Sequence, residues 1–343
     1  MDTMQQVIIT KYGPPEVLQV RQAPIPETGA NDVLIRIHYA GINFSEIMAR
    51  MKLYPGAPKP PCGVGSEASG EVLAVGENVT QYKPGHHVMT FCRFGSYSTH
   101  CCVNESMVMP LPKNFSLKQG GAFPLIYITA YMMMFQLGNL QSGEAILIHG
   151  AGGGVGTAAI QLAQSVGAGM ICTASKWKHD KLKAMGVHHC IDYTSEDVAA
   201  RVMEITKNTG VDLIIDPLGG KSWKTGYTLL SPMGKLIVYG DQKFVSGYKR
   251  NPVTLIKEAL AIPRFNPGLM LGQNKSVMGY HLGKLAGAEH KIKFAVEKLI
   301  ALAEAKKVTP VIDRVFHYTD AASAHRYIQD RKNFGKVLLD FSG

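Results

Sequence analysis

The feature that most constrains the fold is a strand, a glycine-rich turn and a helix, followed by a second strand. Residues 145–149 and 169–173 are apolar and strand-like, the turn reads GAGGGVG (150–156), and a helical pattern fills 157–166. Such a turn leaves backbone N–H groups and the positive end of a helix dipole at the strand tips, where a pyrophosphate binds. Alanine stands at the first of the three usual glycines, but within a βαβ unit of about 30 residues the pattern still predicts a dinucleotide site. The expected contacts come from Gly153, Gly154, Val155 and Gly156.

The residues after the second strand predict which dinucleotide binds. In proteins that prefer NAD, a carboxylate near this point accepts hydrogen bonds from the ribose 2′-OH. This chain instead has Thr-Ala-Ser (173–175), and four lysines follow within eight residues. A 2′-phosphate is attracted by lysine and hydroxyl groups, so we expect NADPH; the alternative is that the lysines only form a solvated helix face. Lys178 is the first candidate for the phosphate contact, Ser175 is the second, and Tyr193 is expected to cover the adenosine end.

Composition and charge are those of a globular protein with two domains. The chain has 343 residues, of which 46% are hydrophobic and 18% charged; no apolar run is long enough to span a bilayer, and the N-terminus does not resemble a signal peptide. Six cysteines without regular spacing predict free thiols and a cytoplasmic location. The net charge of +10 permits binding to nucleic acid or to an anionic membrane, but there is no run of five basic residues. We therefore expect no stable membrane insertion and no nucleic-acid partner.

The hydrophobic periodicity changes along the chain. Residues 1–124 carry many short β signals separated by glycine and proline, whereas βα alternation from about 125 to 240 predicts a parallel sheet. Residues 211–216 and 235–240 are typical of its buried strands. Prolines break the following stretch into short helices and loops. The remaining predicted elements are a strand over 277–282, a helix over 292–305, a strand over 311–316, a helix over 321–329 and a strand over 336–339.

Several motifs carry a family resemblance that spans essentially the whole chain. The segments AGINFSE (40–46), LYP (53–55) and GSEASG (65–70) resemble the zinc-free quinone oxidoreductase branch of the medium-chain dehydrogenase/reductase superfamily. Within that branch, four further segments are similar to the vesicle amine transport protein 1 homologue group: YITAYM (127–132), DPLGG (216–220), GYHLG (279–283) and NFGKVLL (333–339). The resemblance implies an α/β protein with a β-rich GroES-like catalytic domain (1–124 and 272–343). It also implies a doubly wound Rossmann NADP-binding domain (125–271).

The same resemblance argues against a metal. Zinc alcohol dehydrogenases of the superfamily take a Cys and a His as ligands from the segments where this chain has Asn43 and Ser66, and neither residue suits a Cys/His zinc site. A second group of residues, all histidines and cysteines, also lacks the spacing of a metal site. It comprises His86, His87, Cys92, His100, Cys101 and Cys102. We expect no bound metal, and therefore no direct oxidation of alcohols by zinc.

Hydride transfer from NADPH to a quinone or an α,β-unsaturated carbonyl is the chemistry that remains. The resemblance implies that Asn43 and Tyr54 line the cleft beside the nicotinamide. There an amide N–H or a phenol O–H can stabilise the developing oxyanion, and Tyr54 can also supply a proton. For each of these residues the alternative is a purely structural role. Weaker cofactor contacts implied by the resemblance are Thr129, Gly240, Gly335 and Lys336.

The resemblance also implies a homodimer, paired through the edge strand at residues 277–282. Two other functions stay open. One is an NADPH-binding protein that acts through a partner (an RNA, a membrane surface or another protein) rather than by catalysis. The other function, that of a zinc alcohol dehydrogenase, is disfavoured because the zinc ligands are missing.

Overall fold

The computed structural model describes residues 2–343, and these form two compact units. The first unit comprises residues 2–126, 247–250 and 300–343, and the second comprises 127–246 and 251–299. The sequence-based division assigns residues 272–299 to the first domain, whereas in the structure they belong to the second unit. The reason is hydrogen bonding, because residues 276–279 add a strand to the parallel sheet of that unit.

Strands and helices are numbered along the chain. The strands are β1 Thr3–Ile9, β2 Leu18–Pro24, β3 Asp32–Ile42, β4 Cys62–Gly63, β5 Glu67–Val75, β6 His87–Phe91, β7 His100–Asn104, β8 Val108–Pro110, β9 Ala145–Ile148, β10 Gly169–Ala174, β11 His189–Asp192, β12 Val211–Asp216, β13 Leu230–Val238, β14 Ser276–Gly279, β15 Ile312–His317 and β16 Lys336–Asp340. The helices are α1 Phe44–Arg50, α2 Leu117–Gly121, α3 Pro124–Tyr131, α4 Gly154–Val166, α5 His179–Ala184, α6 Val198–Ile205, α7 Lys221–Thr228, α8 Pro252–Leu260, α9 Pro267–Gln273, α10 Glu289–Glu304 and α11 Ala321–Gln329.

The first unit is built on a seven-stranded sheet in which β3 is the central strand. The order is β15-β16-β3-β5-β6-β8, with β7 also paired to β3, and a smaller sheet has the order β2-β1-β4. Along β3 the residues Val33, Ile35 and Ile37 are fully buried while Arg36 is exposed, which is the alternation of a strand with one face on the core. Antiparallel pairing of β16 with β3 sets Val337 opposite Ile42. The start of β16 therefore lies beside the start of α1.

The second unit contains a six-stranded parallel sheet of the order β11-β10-β9-β12-β13-β14. In β9 the consecutive residues Ile146, Leu147 and Ile148 are all fully buried. Such continuous apolar runs are expected of parallel strands that are covered on both faces. Because the strands are parallel, the residues that follow them collect at one edge of the sheet, and the glycine-rich turn lies at this edge.

Most predicted elements of the second half are present, with shifted ends. The strand over 211–216 and the helix over 321–329 coincide with β12 and α11. The strand predicted over 235–240 begins earlier, at Leu230, and ends at Val238. The strand predicted over 277–282 ends at Gly279, because residues 282–284 form a 3-10 turn.

Candidate cofactor site and buried polar cluster

The glycine-rich turn connects β9 to α4 as tightly as the sequence predicts. Gly153 caps α4, and its carbonyl accepts a hydrogen bond from the backbone N–H of Thr157 at 2.9 Å. A Cβ atom on Gly156 would lie 2.6 Å from Ala151 Cα and from Gly150 O, so a side chain does not fit there. The first N–H groups of a helix have no partner within the helix. At the carboxyl edge of a parallel sheet they form the site that accepts a pyrophosphate, so this turn fits a dinucleotide.

Lys178 lies against the glycine-rich turn. Its side chain is only 8% exposed, and a Cβ atom on Gly152 would lie 2.5 Å from its Cδ. The Lys178 ammonium lies 5.0 Å from the centre of the Trp177 ring. Glycine at position 152 thus leaves room for the aliphatic part of the lysine. The predicted contact of Lys178 with a 2′-phosphate stays a prediction.

Ser175 and Tyr193 meet at the same edge of the sheet. Their hydroxyl oxygens lie 3.0 Å apart, at the ends of the paired strands β10 and β11. The carbonyl of Ser175 accepts a hydrogen bond from the backbone N–H of Lys178 at 2.9 Å. The structure therefore brings the three residues predicted for the adenosine end together within the second unit.

A buried histidine, for which the sequence pattern predicts no role, links three strand ends next to this turn. His149 Nδ1 lies 3.0 Å from Thr173 Oγ1, and its Nε2 lies 3.9 Å from Asp216 Oδ2. Burial lowers the pKa of His149 against the opposing effect of Asp216, so the imidazole is neutral at pH 7. Asp216 also accepts hydrogen bonds from Leu218 N at 2.6 Å and from Ser222 Oγ at 2.5 Å. These contacts hold the ends of β9, β10 and β12 in register.

The weaker cofactor predictions in the second unit have local structural explanations. Thr129 lies in α3 and is 7% exposed. A Cβ atom on Gly240 would lie 3.2 Å from Pro217 O, which is a tight approach between the segments after β13 and β12. Contact of Thr129 and Gly240 with a cofactor stays a prediction.

In the first unit a buried polar cluster joins Asn43, Glu46, Glu67 and Lys336. Their exposed fractions are 8%, 1%, 0% and 2% respectively. Lys336 Nζ donates to Asn43 Oδ1 and lies 2.5 Å from Glu67 Oε1. Asn43 Nδ2 donates to Glu67 Oε1 at 3.0 Å, with a longer contact of 3.4 Å to Glu46 Oε1. The pairing of β16 with β3 brings Lys336 to this cluster.

The backbone around the cluster is shaped to hold it. Glu46 Oε2 accepts the backbone N–H of Asn43 at 2.6 Å, in the Asn-x-x-Glu pattern of a helix N-terminus. Glu67 Oε2 accepts the backbone N–H of Leu125 at 2.7 Å, in the first turn of α3. A Cβ atom on Gly41 would lie 2.5 Å from Glu67 Oε1 and 2.8 Å from Lys336 Cε. Gly41 therefore leaves the space in which the ion pair lies.

Electrostatics distinguish Glu46 from an ordinary carboxylate. Burial raises the pKa of Glu46 to about 7, although the Lys336 ammonium and a hydrogen bond from Ser66 oppose this rise. Glu46 is thus protonated in a large share of molecules near neutral pH. Burial also raises the pKa of Tyr54 to about 12, and the charge of Glu46 adds to this effect while Arg93 opposes it. Tyr54 is therefore a neutral phenol that can donate a proton or a hydrogen bond.

The structure shows how Lys336 and Asn43 are bonded within the cluster, and their contacts with a cofactor stay predictions. The Lys336 ammonium is buried against Asn43 and Glu67, so the diphosphate contact that the resemblance implies would require it to leave these partners. The amide group of Asn43 donates to carboxylates of the protein, so donation to a substrate would require one of these bonds to break. Gly335 has φ +89°, and a Cβ atom there would lie 2.3 Å from Val311 O. The local backbone therefore explains why position 335 requires glycine.

The residues considered for a metal do not converge. Within residues 2–343, no group of three His, Cys, Asp or Glu side chains is arranged to hold a metal ion. Cys101 is buried while Cys102 is partly exposed, as expected for neighbours on a strand. Ser66, at the position of a zinc ligand in the metal-dependent enzymes, hydrogen-bonds Glu46. All six cysteines are free thiols.

Comparison with known proteins agrees with this architecture. Residues 29–113 match the family model described as alcohol dehydrogenase GroES-like domain, and residues 185–339 match the one described as zinc-binding dehydrogenase. The human synaptic vesicle membrane protein VAT-1 homolog is 38% identical over 323 residues, which is 94% of this chain and 82% of that protein. The chain therefore belongs to the medium-chain dehydrogenase/reductase superfamily, and its zinc-ligand positions are consistent with the zinc-free branch.

Two solved structures support the same assignment. The crystal structure of human synaptic vesicle membrane protein VAT-1 homolog-like protein superimposes with a TM-score of 0.87 at 32% identity, covering 99% of this chain and 98% of that chain. The quinone oxidoreductase of Escherichia coli complexed with NADPH gives a TM-score of 0.85 at 26% identity, covering 98% and 99%. The α/β fold, with a GroES-like domain and a Rossmann-type parallel sheet, is that of the superfamily. In residues 2–343 no helix has both the length and the apolar character needed to cross a bilayer.

Proposed function

We propose that this protein is a zinc-independent, NADPH-dependent oxidoreductase that reduces quinones or α,β-unsaturated carbonyls. The observation that carries the proposal is that one chain contains two features. One is the glycine-rich turn with Lys178 packed against it. The other is the buried polar cluster, together with a Tyr54 phenol that is neutral because its pKa is raised. The quinone oxidoreductase with bound NADPH among its structural relatives supports it further.

The cofactor preference rests on charge. When bound, NADPH supplies a hydride from its nicotinamide ring. The turn at Gly153 to Gly156 would hold the pyrophosphate, and Lys178 with Ser175 would hold the 2′-phosphate, with Tyr193 beside them. The strand end carries the hydroxyl of Ser175 where NAD-binding proteins have a carboxylate that would repel the phosphate.

The residues of the first unit would stabilise and protonate the oxygen of the substrate. After hydride transfer to carbon, a quinone or enone carries negative charge on oxygen, and that oxygen needs a hydrogen-bond donor and then a proton. Tyr54 is our candidate for both roles. Asn43 would act by holding the start of α1 and the carboxylates in place, because its amide is already bonded within the cluster.

The test is NADPH oxidation with a panel of quinones, enones and aldehydes, with NADH in parallel. We expect turnover with at least one quinone or enone, a clear preference for NADPH, and no loss of activity after treatment with a chelator. Tight NADPH binding without turnover on any member of the panel would overturn the enzymatic proposal. It would favour a binding protein that acts through a partner, a role the net charge of +10 permits.

We also propose a homodimer formed through β14. This strand is the edge of the six-stranded sheet, and an exposed edge presents unpaired backbone groups that another strand can bond. Sedimentation velocity on the wild type should give twice the mass of the chain, and Gly279→Pro, which removes a backbone donor from the free edge, should give a folded monomer. A monomeric wild type at micromolar concentration would contradict this.

The cytoplasmic location stays a prediction, supported by the free thiols.

A further inference from the structure

Trp177 is a large aromatic side chain that the fold leaves on the surface of the second unit. It lies in the short turn (Lys176–Lys178) between β10 and α5, and it is 49% exposed, so burial in a core does not explain its position. Two ammonium groups lie beside its ring. That of Lys178 is 5.0 Å from the ring centre, and that of Lys181 is 5.5 Å from it. Cations at such distances are attracted by the negative face of an indole.

The local backbone brings the two lysines to this ring by different paths. The turn runs directly into α5, so Trp177 and Lys181, four positions apart, lie one helical turn from each other. Lys178 packs its aliphatic part on the glycine-rich turn, since a Cβ atom on Gly152 would lie 2.5 Å from its Cδ and 3.4 Å from its Nζ. The Lys178 ammonium therefore lies beside the indole and beside the glycine-rich turn at once.

The charges and hydroxyl groups around the ring match a phosphate monoester. Two ammonium groups beside one ring repel each other, and an anion that bonds both would stabilise the pair. The Ser175 hydroxyl, two positions before Trp177, lies 3.0 Å from the Tyr193 hydroxyl and adds a further hydrogen-bonding group at the same strand end. A phosphate monoester carries about 1.5 to 2 negative charges near pH 7, which two ammonium groups can balance.

We propose that Lys181 is a second cation for the 2′-phosphate of NADPH, and that Trp177 positions its ammonium group together with that of Lys178. This inference rests on the proposed function, which assigns the phosphate to Lys178 and Ser175 without Lys181 or Trp177. Trp177 acts through the two lysines and does not itself contact the nucleotide. The site contributes to affinity and to the choice of NADPH over NADH, and it takes no part in hydride transfer.

The alternative role for an exposed indole beside a nucleotide site is to stack on the adenine base. The observed contacts favour the positioning role, because two ammonium groups already lie beside the ring of Trp177. The two roles differ in the ligands that they affect. A stacked ring stabilises any adenine nucleotide, whereas a ring that positions lysines stabilises only a nucleotide with a 2′-phosphate.

Binding of two small nucleotides tests the proposal without any turnover. 2′,5′-ADP and 5′-AMP differ only in the 2′-phosphate, and titration calorimetry gives the Kd of each; the wild type should bind 2′,5′-ADP at least about tenfold more tightly. Trp177→Ala should weaken 2′,5′-ADP binding by roughly five- to thirtyfold and change 5′-AMP binding by less than about twofold. Lys181→Met should weaken 2′,5′-ADP binding by about tenfold. Lys183→Met, at another exposed position of α5, is the matched control and should change it by less than about twofold.

A double-mutant cycle shows whether the indole acts through the lysines. In a Lys178→Met/Lys181→Met background, Trp177→Ala should change 2′,5′-ADP binding by less than about twofold, whereas a general structural loss would appear in both backgrounds. Trp177→Phe, which keeps an aromatic face for the ammonium groups, should bind 2′,5′-ADP more tightly than Trp177→Ala does. A Trp177→Ala protein that binds 2′,5′-ADP as tightly as the wild type, or that loses affinity for both nucleotides equally, overturns the inference.

The same measurements separate this inference from the proposed function. A wild type that binds 2′,5′-ADP and 5′-AMP equally would overturn the preference for NADPH and, with it, the role of Lys181 and Trp177. A wild type that prefers 2′,5′-ADP but reduces no quinone or enone would overturn the enzymatic proposal alone, and the variants would still decide the role of Trp177.

Discussion

The Lys336 ammonium donates a hydrogen bond to the side-chain oxygen of Asn43, across the join between β16 and β3. This contact fixes the orientation of the Asn43 amide, so its nitrogen faces the two carboxyl groups. The resemblance implies a cofactor contact for Lys336 and a cleft-lining role for Asn43. The structure makes both residues parts of one buried ion cluster, whose stability depends on each member.

Replacement of Lys336 by methionine should destabilise the first unit. The change removes the only cation of the cluster and leaves Glu67 without its ion pair, which typically costs about 3–5 kcal/mol in the free energy of unfolding. At low pH the carboxyl groups of the cluster can take up a second proton, which reduces the loss of stability. The loss should therefore be larger at pH 8 than at pH 6. Urea unfolding at both pH values measures it. Lys332→Met, which removes an exposed partner of Asp330, should cost less than about 1 kcal/mol.

Local pattern predicted several elements of the second half of the chain well, because their signals are short-range. The turn at 150–156, the apolar run of β12 and the amphipathic α11 each carry their signal within about a dozen residues. The end of β14 was misplaced because the sequence continues to look strand-like to residue 282, where the chain makes a 3-10 turn instead. The assignment of residues 272–299 failed for a related reason, since sheet pairing decides it and sequence order does not.

The buried cluster was beyond prediction from the sequence alone. Lys336 and Asn43 are 293 positions apart, and only the pairing of β16 with β3 brings them together. One local signal was present, because Asn43 and Glu46 have the spacing of a helix N-cap and its N3 partner. Glu67 lies in the GSEASG motif (65–70), which carries the family resemblance, and nothing near it in the sequence predicts burial beside a lysine.

Replacement of Gly156 by alanine should destabilise the second unit by roughly 1–3 kcal/mol. The new methyl group would meet backbone atoms of Ala151 and Gly150 at 2.6 Å, and backbone cannot move aside as a flexible side chain can. Gly272→Ala is the matched control, since it lies in α9 with nothing within 4 Å of the added Cβ atom. That change should be neutral or stabilise by up to about 1 kcal/mol. Equal stability of the two variants would contradict the close strand–helix contact.

Removal of the Lys178 side chain should reduce the preference for NADPH. Loss of one charged contact to a 2′-phosphate corresponds to about 1.5–3 kcal/mol, or roughly a tenfold to hundredfold weaker NADPH binding in Lys178→Ala. NADH binding should change by less than about threefold, because NADH lacks the phosphate. Lys183→Ala removes an exposed lysine of α5 and controls for a general effect of charge. Titration calorimetry with both nucleotides decides, and an unchanged ratio of affinities in Lys178→Ala would remove Lys178 from this role.

Removal of the Tyr54 hydroxyl should slow turnover without preventing NADPH binding. A general acid typically contributes about 10²- to 10⁴-fold to rate, so Tyr54→Phe should lose most of its activity at pH 7. The Kd for NADPH should stay within about twofold, because the cofactor contacts proposed for the turn lie in the second unit. Tyr318→Phe, which keeps its ring stacked on Phe341, is the control. Full turnover of Tyr54→Phe on both a quinone and an enone would exclude the phenol as the proton source.

The raised pKa of Glu46 also predicts how stability depends on pH. Its pKa is about 7 in the folded protein against 4.5 for an unperturbed glutamate, so the folded state binds the proton more tightly than the unfolded state does. The stabilisation is fully present below pH 4.5, declines by about 1.4 kcal/mol per pH unit between these two values, and is lost once the pH has risen through 7. Because other groups titrate as well, the quantity to measure is the difference in free energy of unfolding between Glu46→Gln and the wild type. From pH 4.5 to pH 8 the free energy of unfolding of Glu46→Gln, relative to that of the wild type, should rise by on the order of 3 kcal/mol. The same difference for Glu77→Gln, at an exposed position of the same unit, should stay level. A level curve for Glu46→Gln would mean that Glu46 is ionised throughout this range and that the cluster carries its negative charge uncompensated.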